Sequence, residues 1–285
     1  MTVKRFSTIE DLRQYLNGHR ALGRSIGFVP TMGFLHDGHA SLMRAARTAN
    51  DIVVASIFVN PLQFAANEDL STYPRDIEAD AVLAEAAGVD ALFIPSVAEM
   101  YPHGPVLTTV FVSDLSERLE GLTRPTHFAG VATVVTKLFS IIGHCRAYFG
   151  EKDFQQLAII RRMVSDLSIP VEVIGCPIVR EADGLAMSSR NVYLTAEQRP
   201  AATVLRRSLD AGLAAIEGGE QSPAAIREVM AAVITDEPHA SLDYVAVVDA
   251  ATLEAPTRLT GQLRLLVAAT VGAPRLIDND GVYVS

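Results

Sequence analysis

Residues 25–59, SIGFVPTMGFLHDGHASLMRAARTANDIVVASIFV, place two apolar runs on either side of a helix-length segment. Positions 25–30 read as a buried strand, about 39–49 as a helix, and 52–59 as a second buried strand. A strand that is apolar at every position has no face left for water. Sheets made of such strands are parallel and covered on both sides by helices. The same alternation continues outward. Positions 75–87 read as a helix ending at Gly88, followed by the strand ALFIP at 91–95. Then come a helix at 130–142, a short strand at 146–149, a helix at 154–168 and the strand VEVIGCPIV at 171–179. The expected fold is α/β, a doubly wound parallel sheet of Rossmann-like type, with the ligand crevice at the carboxyl ends of the strands. A closed barrel would need more regular β–α units than the chain offers.

After about Arg180 the texture changes. Two Ala-rich helices, 196–217 and 222–236, are joined by Gly218 and Gly219, and alternating strands follow at 243–248 and 263–270. This predicts a smaller α+β domain. The boundary is expected between 178 and 185, giving domains over residues 1–179 and 180–285.

Composition narrows the function classes. The 285 residues are 49% hydrophobic and 20% charged, as in ordinary globular proteins, and they are enough for one large and one smaller domain. A net charge of −9 argues against non-specific binding to nucleic acid or to an anionic membrane. Local basic groups and helix N-termini could still hold a phosphate ligand. The two cysteines, Cys145 and Cys176, have no paired spacing, which reads as a reduced cytoplasmic protein with two buried thiols. The segment MTVKRFSTIEDL turns polar too soon for a secretory signal. The most apolar helix, 130–142, is too short to span a bilayer and carries Lys137, so no membrane span is expected.

Polar clusters fall where strands end. The first is PTMGFLHDGH, positions 30–39. Gly33 and Gly38 let the backbone turn tightly and approach a ligand. His36 and His39, three residues apart at a helix start, face the same way and would sit beside free backbone N–H groups, a setting for a polyphosphate. Zinc is disfavoured because H-D-G-H lacks the H-E-x-x-H spacing. Surface histidines on a capped helix remain an alternative. The second cluster is GEKDFQQ, 150–156, where Lys152 could enter the crevice, Asp153 could hold a ribose hydroxyl, and Gln155 and Gln156 open a helix. A solvated corner is its bland counterpart. The third is READGLAMSSRN, 180–191, whose Ser188, Ser189 and Arg190 suit phosphate oxygens, unless the stretch is only a polar interdomain loop. Asn60 and Gln63 in FVNPLQF could fix a small polar acid, and Arg124 and His127 in TRPTHFAG lie just before a helix. Asp76, Glu78 and Asp80 could reach Mg²⁺ or form a solvated helix face. Separate bland explanations for every cluster are improbable when all follow predicted strands of one sheet.

PTMGFLHDGH resembles the H-x-G-H signature of the nucleotidyltransferase and class I aminoacyl-tRNA synthetase superfamily, and MSSRN resembles its flexible-loop counterpart. PTMGFLHDGH, FVNPLQF, YPR, RPTHFAGV, FGEKDFQQL and VREADGLAMSSRN, in that order, resemble the pantoate–β-alanine ligase family over essentially the whole chain. The resemblance implies a cytoplasmic, homodimeric ligase of pantothenate biosynthesis that uses ATP, pantoate, β-alanine and Mg²⁺. Pantoate would attack the α-phosphate of ATP to give pantoyl adenylate and pyrophosphate, and β-alanine would then displace AMP. In the family's terms the ATP pocket would comprise Met32, Gly33, Phe34, Leu35, His36, Asp37, Gly38 and His39. It would also include Gly150, Glu151, Lys152, Asp153, Val179, Met187, Ser188, Ser189 and Arg190. His36, His39, Lys152 and Arg190 would be the catalytic set, with Val179 and Met187 against adenine. Gln63 and Gln156 would bind pantoate, Gln63 would also lie near β-alanine, and Asp80 would be a metal-side residue. The smaller domain would close over the site through positions 184–190. Two departures stand out. Thr126 replaces a frequent glycine, and Ala186 and Arg190 stand where the superfamily loop has lysines. A simple nucleotidyltransferase shares the H-x-G-H logic, but the amides of FVNPLQF and FGEKDFQQ suit a hydroxy acid better than a phosphate ester. A non-catalytic ATP-sensing module would not need both histidines, Lys152 and the Ser-Ser-Arg triplet together.

Overall fold

The computed structural model describes residues 2–64, 70 and 73–285. Strands and helices alternate through β1 (Lys4–Phe6), α1 (Ile9–Ala21), β2 (Ile26–Thr31), α2 (Asp37–Ala49), β3 (Ile52–Ile57), α3 (Ile77–Ala86) and β4 (Ala91–Phe93). The chain continues through α4 (Val97–Met100), α5 (Glu120–Thr123), α6 (His127–Ile142), β5 (Cys145–Gly150), α7 (Phe154–Asp166) and β6 (Val171–Cys176). These strands form a six-stranded sheet in the order β1-β4-β3-β2-β5-β6, every described pairing being parallel. The order reverses between β2 and β5. Chain segments leaving those two strands diverge to opposite faces, which is where a doubly wound sheet binds its ligand. The all-apolar strands are buried as expected: Phe28, Val29, Val53, Val54 and Ala55 are fully covered, together with Met43 and Ala46 of α2. The expected doubly wound parallel sheet is present.

The chain divides into two compact units, Met1–Glu151 with Gln155–Pro177, and Lys152–Phe154 with Ile178–Ser285. The second unit holds α8 (Gln198–Ala201), α9 (Val204–Glu217), α10 (Pro223–Thr235), β7 (Ala240–Asp249), β8 (Gly261–Val271) and β9 (Arg275–Val284). Its strands form an antiparallel sheet in the order β7-β8-β9. Leu205 and Leu209 of α9 and Ile226, Met230 and Ile234 of α10 share a core with Val247, Leu263, Leu265 and Val267. Ser222 caps α10 by accepting the Ala225 N–H, with Pro223 at the first helical position, where its missing N–H costs nothing. This is the expected α+β texture.

Several elements differ from the sequence expectation. The sequence pattern does not mark α1 or β1. Leu12 and Leu16 are both buried one turn apart, and Thr8 caps the helix by accepting the Asp11 N–H, but the polar residues between them dilute the periodicity. β9 escaped notice because its central positions are Asp278 and Asn279, buried polar residues in a run expected to be apolar. The helix expected at 196–217 is two helices. Thr203 N–H bonds the Pro200 carbonyl, a tighter three-residue turn that interrupts the ladder between α8 and α9. β6 stops at Cys176, before Pro177, which has no N–H for a sheet ladder. α6 starts three residues earlier than expected, so His127 is its first residue. No helix among the described residues is long and apolar enough to cross a membrane.

Candidate active site

β2 runs out at Thr31, and the backbone then reverses within four residues before α2 begins. Thr31 Oγ1 donates to the Ser56 carbonyl at 2.7 Å and accepts the Gly33 N–H at 3.2 Å, tying the turn back to β3. Gly33 has φ 85° and Phe34 φ 51°. Glycine reaches that region freely, whereas Phe34 is held there at a cost of about 1–2 kcal/mol. The room is also accounted for. A Cβ at Gly33 would lie 2.9 Å from Ile57 Cγ2 and 3.0 Å from Asp80 Oδ2.

Asp80, in α3, is the group beneath this turn. Its Oδ2 accepts the Phe34 N–H at 2.9 Å and its Oδ1 accepts the Leu35 N–H at 2.6 Å. Only 3% of the residue is exposed. Burial pushes its carboxyl above the ordinary carboxylate range, while the Leu35 and Phe34 N–H bonds pull the other way. Both oxygens are thus engaged by the loop, which is a different task from the metal-side role that the family resemblance suggested. Among the described residues no group of three or more His, Cys, Asp or Glu side chains could hold a metal ion.

The histidines form the cap of α2. His36 is the N-cap, and its Nδ1 accepts the Gly38 N–H at 3.1 Å. His39, in the first turn, accepts the His36 N–H on its own Nδ1 at 3.3 Å. This is a capping box with two imidazoles in place of the usual hydroxyl and carboxylate. The ring centroids lie 4.1 Å apart, tilted by 41°. An imidazole nitrogen that accepts an N–H carries no proton, so the hydrogen-bond pattern assigns the ring proton to Nε2 in both residues. The expected pairing of His36 and His39 on one side of the helix start is therefore realised. Met32, Phe34, Leu35, Gly38 and both histidines are half-buried along this loop, and Asp37 is exposed. The N–H groups of Phe34 and Leu35 belong to Asp80, so phosphate would meet the helix start beyond them.

Gln63 closes a short 3-10 turn, Pro61–Gln63, after β3. Its carbonyl accepts His127 Nδ1–H at 3.0 Å and Arg124 Nη2–H at 3.3 Å, which gives these two side chains of TRPTHFAG a positioning task. Asn60 is fully buried. It donates to the Gly130 carbonyl at 3.1 Å and accepts the Tyr101 hydroxyl at 2.8 Å, so its amide braces the turn rather than facing a ligand. Gly130 allows this approach, since a Cβ there would run into the Leu62 carbonyl. At the start of α7, Gln155 is buried and donates to the carbonyls of Leu115 and Arg118, each at 2.7 Å, while accepting the Glu120 N–H at 3.0 Å. Gln156, one residue on, is half-buried. The bracing roles of Tyr101 and Gln155 had no local sequence signal, because their partners lie 35 to 41 residues away. Gly150 and Glu151 end β5 and follow it, on the far side of the switch point from the histidines.

The other residues that the family resemblance assigns to ATP lie in the second unit. Lys152 Nζ is 3.4 Å from Asp153 Oδ1, and the Lys152 carbonyl accepts Asn279 Nδ2–H at 2.8 Å, which anchors the residue's backbone to β9. READGLAMSSRN forms a tight hairpin. Arg180 bridges Ala186, the Glu181 N–H bonds the Leu185 carbonyl at 2.8 Å, and Met187 N–H bonds the Val179 carbonyl at 3.0 Å. Arg180 pairs with the buried Asp278 at 2.6 Å, and Arg199 pairs with Glu181 at 2.6 Å and Asp183 at 2.7 Å. Asn191 Nδ2 donates to Glu181 Oε1 at 3.0 Å. Ser188 caps the 3-10 turn Ser189–Tyr193 by accepting the Arg190 N–H at 3.2 Å. Val179, Met187, Ser188, Ser189 and Arg190 are all half-buried.

A family model described as pantoate-beta-alanine ligase matches residues 4–280. The chain is 57% identical to the pantothenate synthetase of Heliobacterium modesticaldum, over 92% of this chain and 93% of that protein. It is 54% identical to that of Moorella thermoacetica, over 95% and 96%. A crystal structure of the Thermus thermophilus pantothenate synthetase superposes with a TM-score of 0.93 at 48% identity, covering 99% of this chain and 100% of that one. The Francisella tularensis pantoate-beta-alanine ligase, solved with beta-gamma ATP and beta-alanine, gives a TM-score of 0.79 at 33% identity over 98% and 97%.

Proposed function

Because the chain belongs to the pantoate–β-alanine ligase family, we propose that the β2–α2 loop and the turns named above carry its reaction. The protein is an ATP-dependent ligase that condenses pantoate with β-alanine to pantothenate, releasing AMP and pyrophosphate. The observation that supports the site assignment best is the double-imidazole capping box, which holds His36 and His39 as a pair of Nε2–H donors at a helix N-terminus.

In the first step a pantoate carboxylate oxygen attacks the α-phosphorus, and the bond to the bridging oxygen of pyrophosphate breaks. A carboxylate is already a nucleophile, so this step asks for positioning and charge neutralisation rather than proton removal. His36 and His39 donate Nε2–H to phosphate oxygens as negative charge accumulates, supported by the positive end of the α2 dipole. Gln63 and Gln156 hold pantoate, Gln63 also lying toward β-alanine. In the second step the neutral amine of β-alanine attacks the acyl carbon, AMP leaves, and the amine's extra proton is lost to water or a base. Met32 to His39, Gly150 and Glu151 are assigned to ATP in the first unit. In the second unit Lys152 and Arg190 neutralise phosphate charge, Ser188 and Ser189 bond phosphate oxygens, Asp153 takes ribose, and Val179 and Met187 take adenine. Mg²⁺ bound with the nucleotide would supply charge neutralisation. Its ligands would be phosphate oxygens and water, in keeping with the ion's usual retention of several waters. The same reading makes the protein a cytoplasmic homodimer, in line with its reduced thiols and family resemblance.

The test is pantoate-dependent exchange of labelled pyrophosphate into ATP, with Mg²⁺ and without β-alanine. Exchange by the wild type is expected, and His39→Ala should lower it by more than about tenfold, the scale for losing one charge-stabilising donor. Folded, ATP-binding protein that shows no exchange would mean another acid or another reaction. A normal rate in His39→Ala would remove that residue from the mechanism.

A further inference from the structure

Gly33 and Phe34 are consecutive residues with positive φ, 85° and 51°. The successive Phe34 and Leu35 N–H groups of this turn converge on one side and form a nest suited to an anion. Ahead of a phosphate-binding helix that anion would be expected to be substrate. Here it is the protein's own carboxylate: Asp80 Oδ2 and Oδ1 take the Phe34 and Leu35 N–H groups at 2.9 and 2.6 Å. The carboxylate is itself fixed. Its helix, α3, is capped by Asp76, which accepts the Ala79 N–H at 3.0 Å, and is tied to β1 by the Arg5–Glu78 pair at 2.6 Å. A Cβ on Gly33 would lie 3.0 Å from Asp80 Oδ2, so the turn rests directly on this group. The residue after Leu35 is His36.

We propose that Asp80 is a positioning residue, an internal anion that fills the nest after β2, holds Phe34 in its left-handed conformation and thereby sets where His36 and His39 meet the nucleotide. The inference rests on the ligase reading above for its catalytic consequence, but its structural half needs no substrate. An internal anion also keeps phosphate off the Phe34 and Leu35 N–H groups and leaves the start of α2 as the place for it. Without the charge at most one of the two buried N–H groups keeps an acceptor, the hold on Phe34 at positive φ weakens, and the histidine pair shifts as a unit.

Asp80→Asn is the near-isosteric test, with Asp80→Glu beside it, which keeps the charge but moves it by one methylene. In the free protein, amide hydrogen exchange at Phe34, Leu35 and His36 should accelerate by about tenfold or more in Asp80→Asn, with the rest of the sheet unchanged. In the pyrophosphate exchange assay kcat should fall by about tenfold or more, as misplacing a donor by an ångström does, while KM for pantoate stays within about twofold. Asp80→Glu should fall between wild type and Asn, and it carries the test if Asp80→Asn does not fold. The loss should be the same at low and high Mg²⁺. Restoration by added Mg²⁺ would assign Asp80 to the metal and overturn the proposal. So would unaltered exchange at Phe34 and Leu35, or wild-type kcat. Should the wild type itself show no pyrophosphate exchange, the ligase reading fails, and the hydrogen-exchange arm still decides whether Asp80 holds the turn.

Discussion

Replacing Gly130 by alanine in α6 sets two effects against each other. In an exposed helix interior the change would stabilise the fold by about 0.5–1 kcal/mol through helix propensity. Here the new methyl points into the Pro61–Gln63 turn, where it would collide with the Leu62 carbonyl and come within 2.8 Å of the Gln63 nitrogen. Backbone cannot rotate out of the way as a flexible side chain can. Overpacking of this kind costs about 1–3 kcal/mol. Separating the two segments also stretches the buried Asn60–Gly130 hydrogen bond, 3.1 Å long, which is worth about 1 kcal/mol. The costs of about 2–4 kcal/mol exceed the gain, so a net destabilisation of about 1–3 kcal/mol is expected. Urea unfolding should show it as a lower midpoint at unchanged m-value. The same displacement moves Gln63, whose carbonyl is held by His127 and Arg124. kcat/KM for pantoate should therefore fall by about tenfold or more, with KM for ATP little changed. A midpoint equal to or above wild type would refute the close approach of α6 to this turn. A lower midpoint with unchanged pantoate kinetics would refute the link to the substrate.

Burial raises the folded-state pKa of Asp80, so its contribution to stability is complete below the ordinary carboxylate value, about 3.9, and declines as pH rises through the higher folded value. The urea midpoint of Asp80→Asn should accordingly gain on wild type between about pH 4 and pH 7, and a difference that does not vary with pH would contradict this. The Cys145 thiol, buried in β5, is pushed up to about 12, so a thiol reagent at pH 8 should label it only as fast as the protein unfolds. Labelling faster than unfolding would show that the site opens locally.

The candidate site was legible in part because its chemistry is local. His36 and His39 are three residues apart, and any helix beginning near them places both on one side. The polar clusters at 150–156 and 180–191 lie at the ends of recognisable strands for the same reason. Asn60 was legible as an important amide but not as a buried brace, because the Tyr101 hydroxyl and the Gly130 carbonyl that saturate it come from 41 and 70 residues away. Asp80 looked like one of three acids on a helix face. Its two N–H partners are 45 and 46 residues distant, and nothing in its neighbours distinguishes it from the exposed Glu78. β9 was hidden by Asp278 and Asn279, whose polarity is explained by partners brought in from elsewhere, among them Arg180, Arg264 and the Lys152 carbonyl.

What the sequence by itself determined was the class of fold: short strands apolar on both faces can persist only inside a sheet covered twice, and the intervening helices then make that sheet parallel. It also determined that the histidine pair opens a helix, since capping acts within one turn. What only the tertiary structure decided was which polar residues serve the chain and which remain for a ligand. A buried polar group needs a partner wherever one can be brought, and that partner is set by packing between elements far apart in sequence.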